Sequence, residues 1–84
     1  MRLIFSKQAW EDYQYWLEKD KKVLKKINDL LKELSRNPDS TLAKAESLRY
    51  ELTGFKSMRI DKEHRLVFNY LNPDLFIISC RFHY

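Results

Sequence analysis

The apolar residues of this 84-residue chain repeat with one period in its first half and another in its second. That change limits the fold more than any other feature, because each period suits one kind of element. Val23, Leu24, Ile27, Leu30, Leu31 and Leu34 recur at three- and four-residue steps, the stripe of an amphipathic helix. Lys21, Lys22, Lys25, Lys26 and Lys32 lie off that stripe and read as its solvated side. Ala9, Trp10, Tyr13, Trp16 and Leu17 make a second stripe upstream. Ser6 and Asp20 each precede one of these segments, where a side-chain oxygen can take a free backbone N–H. The spacing predicts one helix over residues 7–18 and another from Asp20 to Arg36, with "NPDS" as the loop that follows. Helices joined so briefly pack antiparallel.

The second half alternates. "MRI", "RLVFNYL" and "LFIISCRFHY" are rich in aromatic and β-branched residues, and "TG", "DKEH" and "NPD" punctuate them as turns. "RLIF" near the start reads as a first strand. The order β-α-α-β-β-β-β predicts an α+β fold in one domain over residues 1–84. Two antiparallel N-terminal helices cover one face of a four- to five-stranded, mainly antiparallel sheet. Alternation then sends Met58, Ile60, Leu66, Phe68, Tyr70, Phe76, Ile78, Cys80 and Phe82 toward the helices. Arg59, Arg65, Arg81 and His83 share the opposite face, so the terminal strand completes a basic surface.

Sixteen Lys and Arg against twelve Asp and Glu give a formal charge of +4, which favours an anionic partner such as nucleic acid, an acidic membrane or an acidic protein. A merely soluble surface has the same composition, and charge alone does not separate the two. The chain has no apolar run long enough to cross a bilayer, and "MRLIFSKQAW" lacks the apolar stretch of a signal peptide. Cys80 is the only cysteine, so no internal disulfide can form, and a reducing, cytoplasmic location is expected. Cys80, His64 and His83 do not have metal-site spacing, and neither a metal nor a cofactor is expected.

Arginines with one histidine on a sheet face suit phosphate, since guanidinium forks onto phosphate oxygens and imidazole passes protons near neutral pH. Cutting RNA by 2′-hydroxyl attack needs a base, a cation for the charged phosphorane and an acid for the leaving oxygen. Glu46, before the sheet, is a candidate base, and Glu63, in the turn before Arg65, is a second. Arg65 is the natural stabiliser and His83 the natural acid. His64 reads as a turn residue, and Tyr15, off its helix stripe, as a possible partner contact. A plain RNA-binding patch uses the same residues without catalysis.

"WEDYQYW", "DKKVLKKINDLLK", "GFKSMRIDKEHRLVF" and the closing "CRFHY" together resemble the YoeB-type toxins of the RelE superfamily, over essentially the whole chain. The resemblance implies the RelE/YoeB-like microbial RNase fold and a ribosome-dependent endonuclease that cuts mRNA without metal. It implies Glu46 as base, Arg65 as stabiliser, His83 as acid and Tyr84 as a residue that orients substrate. Lys44, Arg49, Arg59 and Arg81 fall to RNA contact. The implied partners are the ribosome with its mRNA and an acidic, partly disordered antitoxin of YefM or Phd type. Operator DNA is reached only through the antitoxin, no membrane is involved, and homodimerisation stays open. The family loop, of the form Gly-x-Gly-Lys-Pro-Glu-Pro-Leu, is here "TLAKAESL", which keeps Lys44, Glu46 and Leu48 in register without the glycines and prolines. That departure keeps a non-cleaving RNA- or antitoxin-binding module as the alternative. A gyrase-poisoning relative is a third reading, disfavoured by the Glu–Arg–His set.

Overall fold

The computed structural model describes residues 1–50 and 53–82. Strand β1 (Arg2–Phe5) leads into helix α1 (Lys7–Lys19) through Ser6. The Ser6 hydroxyl oxygen accepts the Ala9 N–H at 3.0 Å and donates to the Ile78 carbonyl at 2.7 Å, so the cap also ties the helix start to the sheet. Asp20 alone separates α1 from α2 (Lys21–Arg36). Its N–H closes the first helix on the Trp16 carbonyl, and its carboxylate accepts the Lys22 N–H at 3.0 Å to open the second. The Tyr13 hydroxyl donates to Asn28 Oδ1 at 2.8 Å across this hairpin, the pairing expected of antiparallel helices that reverse near residue 20.

Pro38–Lys44 forms a third helix, α3, where the sequence predicts a loop. Pro38 sits in its first turn, where a fixed φ favours the helix and the missing N–H costs nothing. The buried Thr41 hydroxyl donates to the Asn37 carbonyl at 2.7 Å and lies 3.3 Å from that of Glu33, so α3 is anchored on the end of α2.

Four more strands follow: β2 (Glu46–Ser47), β3 (Lys56–Arg59), β4 (Arg65–Leu71) and β5 (Asp74–Ser79). They join β1 in a five-stranded sheet of order β1-β5-β4-β3-β2, with β1 parallel to β5 and the other pairs antiparallel. The expected architecture is therefore present, with one helix more. Ile27, Leu30, Leu31 and Leu34 of α2 and Ala9 and Trp16 of α1 meet Leu66, Phe68, Leu75 and Ile77 in the core.

The β5 assignments differ from expectation. Leu75 and Ile77 are the buried core residues, whereas Phe76 and Ile78 are only partly buried. Phe68 pairs with Ile77 and Val67 with Ser79, so Ile78 is an extra residue opposite two consecutive partners. Such a bulge flips the parity of the strand on either side of it. The same bulge explains why Cys80 still reaches the core. Beyond Ser79 the chain leaves the sheet, so the predicted strand does not extend through Arg81 and Phe82. On α1, Trp10 and Leu17 are about half exposed, while Asp12 is buried.

Candidate active site

The opposite face of the sheet carries a row across three strands, Ser57, Val67 and Ser79, all buried. At the β2 end a cavity of about 210 Å³ opens, lined by Glu46, Leu48, Ser57, Arg59, Asp61, Lys62 and Arg65. Five of these seven residues are ionisable. Strand pairing builds it: Glu46 lies opposite Ser57, and Arg59 opposite Arg65. Glu46 thus belongs to a short edge strand rather than to a free loop, and its position is set by backbone pairing without the family's prolines.

Arg65 is the best-held member. Its Nε donates to Ser57 Oγ at 3.0 Å, and its Nη2 lies 3.1 Å from Glu46 Oε2. The Arg65 side chain is 17% exposed and that of Glu46 70% exposed, so the guanidinium is set into the wall and the carboxylate stands at the mouth. The Nε–H is the donor bonded to Ser57, and the contact with Glu46 is an ion pair. A planar donor fork held by a serine and facing an open polar cavity is suited to a phosphate oxygen.

The other expected site residues distribute unevenly. Arg59 lines the cavity and is exposed. Lys44, at the end of α3, lies 3.8 Å from Glu33 of α2. Arg49 is exposed just beyond β2. Arg81 is not on the sheet face with Arg59 and Arg65: its guanidinium sits 3.6 Å above the Tyr15 ring of α1 and 4.6 Å from the Phe82 ring. Because β5 ends at Ser79, alternation no longer governs where Arg81 points. His83 and Tyr84 lie outside the described residues. Glu63 is exposed in the turn, its backbone N–H held by Asp61 Oδ1 at 2.8 Å.

Three further residues, one at the cavity and two elsewhere, make contacts that join distant parts of the fold. Ser57 holds Arg65, and its position in β3, between Lys56 and Met58, gives no sequence signal of that role. Asp12 is buried, accepting the Cys80 N–H at 3.0 Å on Oδ2 and the Gln8 side chain at 2.8 Å on Oδ1. Its signal was a carboxylate on the buried stripe between Ala9 and Trp16. Burial, with the Asp12 charge nearby, pushes the Cys80 thiol up to about 12, which keeps it protonated and unreactive. His64, expected in a turn, presents a ring packed edge-on against Trp16 with centroids 4.7 Å apart. Among the described residues no group of His, Cys, Asp and Glu side chains could hold a metal ion. No helix there is long and apolar enough to cross a membrane.

Comparison with known proteins converges on one family. The profile described as "YoeB-like toxin of bacterial type II toxin-antitoxin system" matches residues 5–84. "Toxin YoeB" of Escherichia coli strain K12 is 48% identical over 84 residues, covering 100% of both chains. A solved YoeB/ParE toxin from Agrobacterium tumefaciens superposes with a TM-score of 0.91 at 38% identity, covering 100% of each chain. The Staphylococcus aureus protein has been solved in a YoeB–YefM complex and as a YoeB dimer. Each matches at 45% identity and a TM-score of 0.87, over 100% of this chain and 98% of that one.

Proposed function

This chain belongs to the YoeB-like toxins of bacterial type II toxin–antitoxin systems, and on that premise we propose that it is a ribosome-dependent mRNA endonuclease working in the Glu46–Arg65 cavity. The observation that carries this reading is the Glu46–Arg65 pair at 3.1 Å, braced by Ser57 and flanked by Arg59 and Lys62. Glu46 takes the proton of the substrate 2′-hydroxyl, and the freed oxygen attacks the adjacent phosphorus. Arg65 faces the charge that builds on the non-bridging oxygens, where a preorganised donor counts most. The bond to the 5′-oxygen breaks as His83 protonates it, leaving a 2′,3′-cyclic phosphate and a 5′-hydroxyl. Charge is handled throughout by Arg65, and the scheme calls on no metal. Tyr84 orients the substrate, and Lys44, Arg49 and Arg59 contact RNA phosphates, without Arg81, whose guanidinium is stacked on Tyr15. The ribosome presents the mRNA.

The controlling partner in this reading is an acidic antitoxin of the YefM kind, supported by the complexes of the staphylococcal relative and by the +4 charge of this chain. Through it alone the toxin would reach operator DNA.

The experiment is cleavage of ribosome-bound mRNA, read as new 5′ ends. The wild type is expected to cut, and His83→Ala to lose about 10²–10⁴-fold in rate. A single 2′-deoxynucleotide on the 5′ side of the cut should block cleavage, since the attacking oxygen is missing. Cutting of that substrate at the same position overturns the mechanism.

A further inference from the structure

Once β5 ends at Ser79, the backbone of Cys80 and of Phe82 is held by groups from other elements of the fold. The Cys80 N–H donates to Asp12, and its carbonyl accepts the Trp16 indole N–H at 2.8 Å. Phe82 is then held on both sides of its backbone. Its N–H donates to His64 Nδ1 at 2.7 Å, and its carbonyl accepts the Arg65 N–H at 2.9 Å. Phe82 has φ of +62°, a left-handed conformation that a side chain with a Cβ rarely takes unless its surroundings impose it.

His64 is built for this task. Its side chain is 12% exposed, lying between the Trp16 ring and the Phe82 ring, whose centroid is 5.7 Å away. Its backbone is fixed by Asp61 Oδ1, which accepts its N–H at 2.8 Å, and by its own carbonyl, which accepts the Ile60 N–H at 2.9 Å. A ring nitrogen that accepts a hydrogen bond carries no proton, so Nδ1 is bare and the proton sits on Nε2. Glu63 Oε2, at 3.9 Å from Nε2, is too far for a hydrogen bond.

The next residue along β4 is Arg65, and the next residue beyond Phe82 is His83. One imidazole therefore joins the strand that supplies the guanidinium to the segment that carries the proposed acid. We propose that His64 is a positioning residue for RNA cleavage: its Nδ1 clasps the Phe82 N–H and so sets where the following histidine reaches relative to Arg65. This inference rests on the reading of His83 as the general acid.

Two substitutions separate the roles. His64→Asn places an amide oxygen near the site of Nδ1 and keeps an acceptor. His64→Leu keeps apolar packing on Trp16 and removes it. Single-turnover cutting of ribosome-bound mRNA is measured for both beside His83→Ala, with thermal midpoint and affinity for the mRNA-loaded ribosome as controls. His64→Leu is expected to slow the chemical step by about 10²-fold, the scale of a misplaced catalytic group, with ribosome affinity unchanged. His64→Asn should recover most of the rate. In the intact wild-type toxin, a ¹⁵N–¹⁵N coupling across the hydrogen bond from the Phe82 amide to His64 Nδ1 should be visible. Its absence overturns the clasp whether or not either variant folds. Wild-type cutting by His64→Leu beside a silent His83→Ala overturns the positioning role alone. So does His64→Asn cutting no faster than a folded His64→Leu. Wild-type cutting by His83→Ala overturns the acid assignment beneath it, and leaves the coupling to judge the clasp.

Discussion

Two cavities sit at opposite edges of the same sheet. The one beside β1 is the larger, about 510 Å³, and is lined by Leu3, Phe5, Trp10, Tyr13 and Leu31, with Lys32 and Arg36 supplying its charge. The one beside β2 is less than half that size, yet brings Glu46, Arg59, Asp61, Lys62 and Arg65 together. Its key cation is set into the wall by a second side chain. By contrast, the stacked Trp10 and Tyr13 rings, 6.0 Å apart and nearly parallel, offer aromatic area, and the Tyr13 hydroxyl proton is already given to Asn28. Volume marks where something can be bound, whereas the number of converging ionisable groups marks where a bond can be broken.

The contrast can be tested from its strongest point downward. Arg65→Ala should reduce cutting by about 10²–10³-fold, the loss typical of a donor aimed at developing charge. Mapping of 5′ ends with the purified variant decides it, and unchanged cutting would move the chemistry elsewhere. Ser57→Ala keeps the guanidinium but frees its Nε, and should cost about tenfold, the scale of one hydrogen bond to a charged group. At the other edge, Trp10→Ala should leave the cutting rate unchanged. It should lower stability by about 1 kcal/mol through its lost contacts with Phe5 and Tyr13, measured by urea unfolding. The smallest effect belongs to the ion pair of β1 with β5. The hydrogen bonds and charge of Arg2 hold the Asp74 carboxyl below its ordinary value of 3.8. That pair contributes stability above the ordinary carboxylate value and loses it as the pH falls through the lowered one. Arg2→Ala should flatten this acid limb of an unfolding titration and leave cutting at neutral pH untouched.

The sequence discloses what is decided locally. Ser6 and Asp20 cap helices because their oxygens reach N–H groups two or three residues away, and the α2 stripe follows from helical spacing alone. The inward face of β5 was misread because the extra residue at Ile78 exists only in relation to β4. Proline in "NPDS" suggested a break, yet a proline in the first turn is equally a helix start, and Thr41 reaching back to α2 settles which. Of the candidate site, pairing brings Glu46, Arg59 and Arg65 to one cavity. Arg81 went to Tyr15 instead, since the strand that was to present it ends two residues earlier. Asp12 gives no sign in the sequence of the contact it makes, and His64 reads there only as a turn residue, because their partners, Cys80 and Phe82, are remote in sequence.

The parallel pairing of β1 with β5 imposes an order in time. Arg2 lies opposite Asp74, so the first strand has no neighbour until nearly all the residues between have been synthesised. Contacts this distant in sequence form late. A nascent chain can wind its helices as they emerge, but its sheet stays open at that edge until β5 leaves the exit tunnel, and the machine that makes the protein works meanwhile beside an unfinished one.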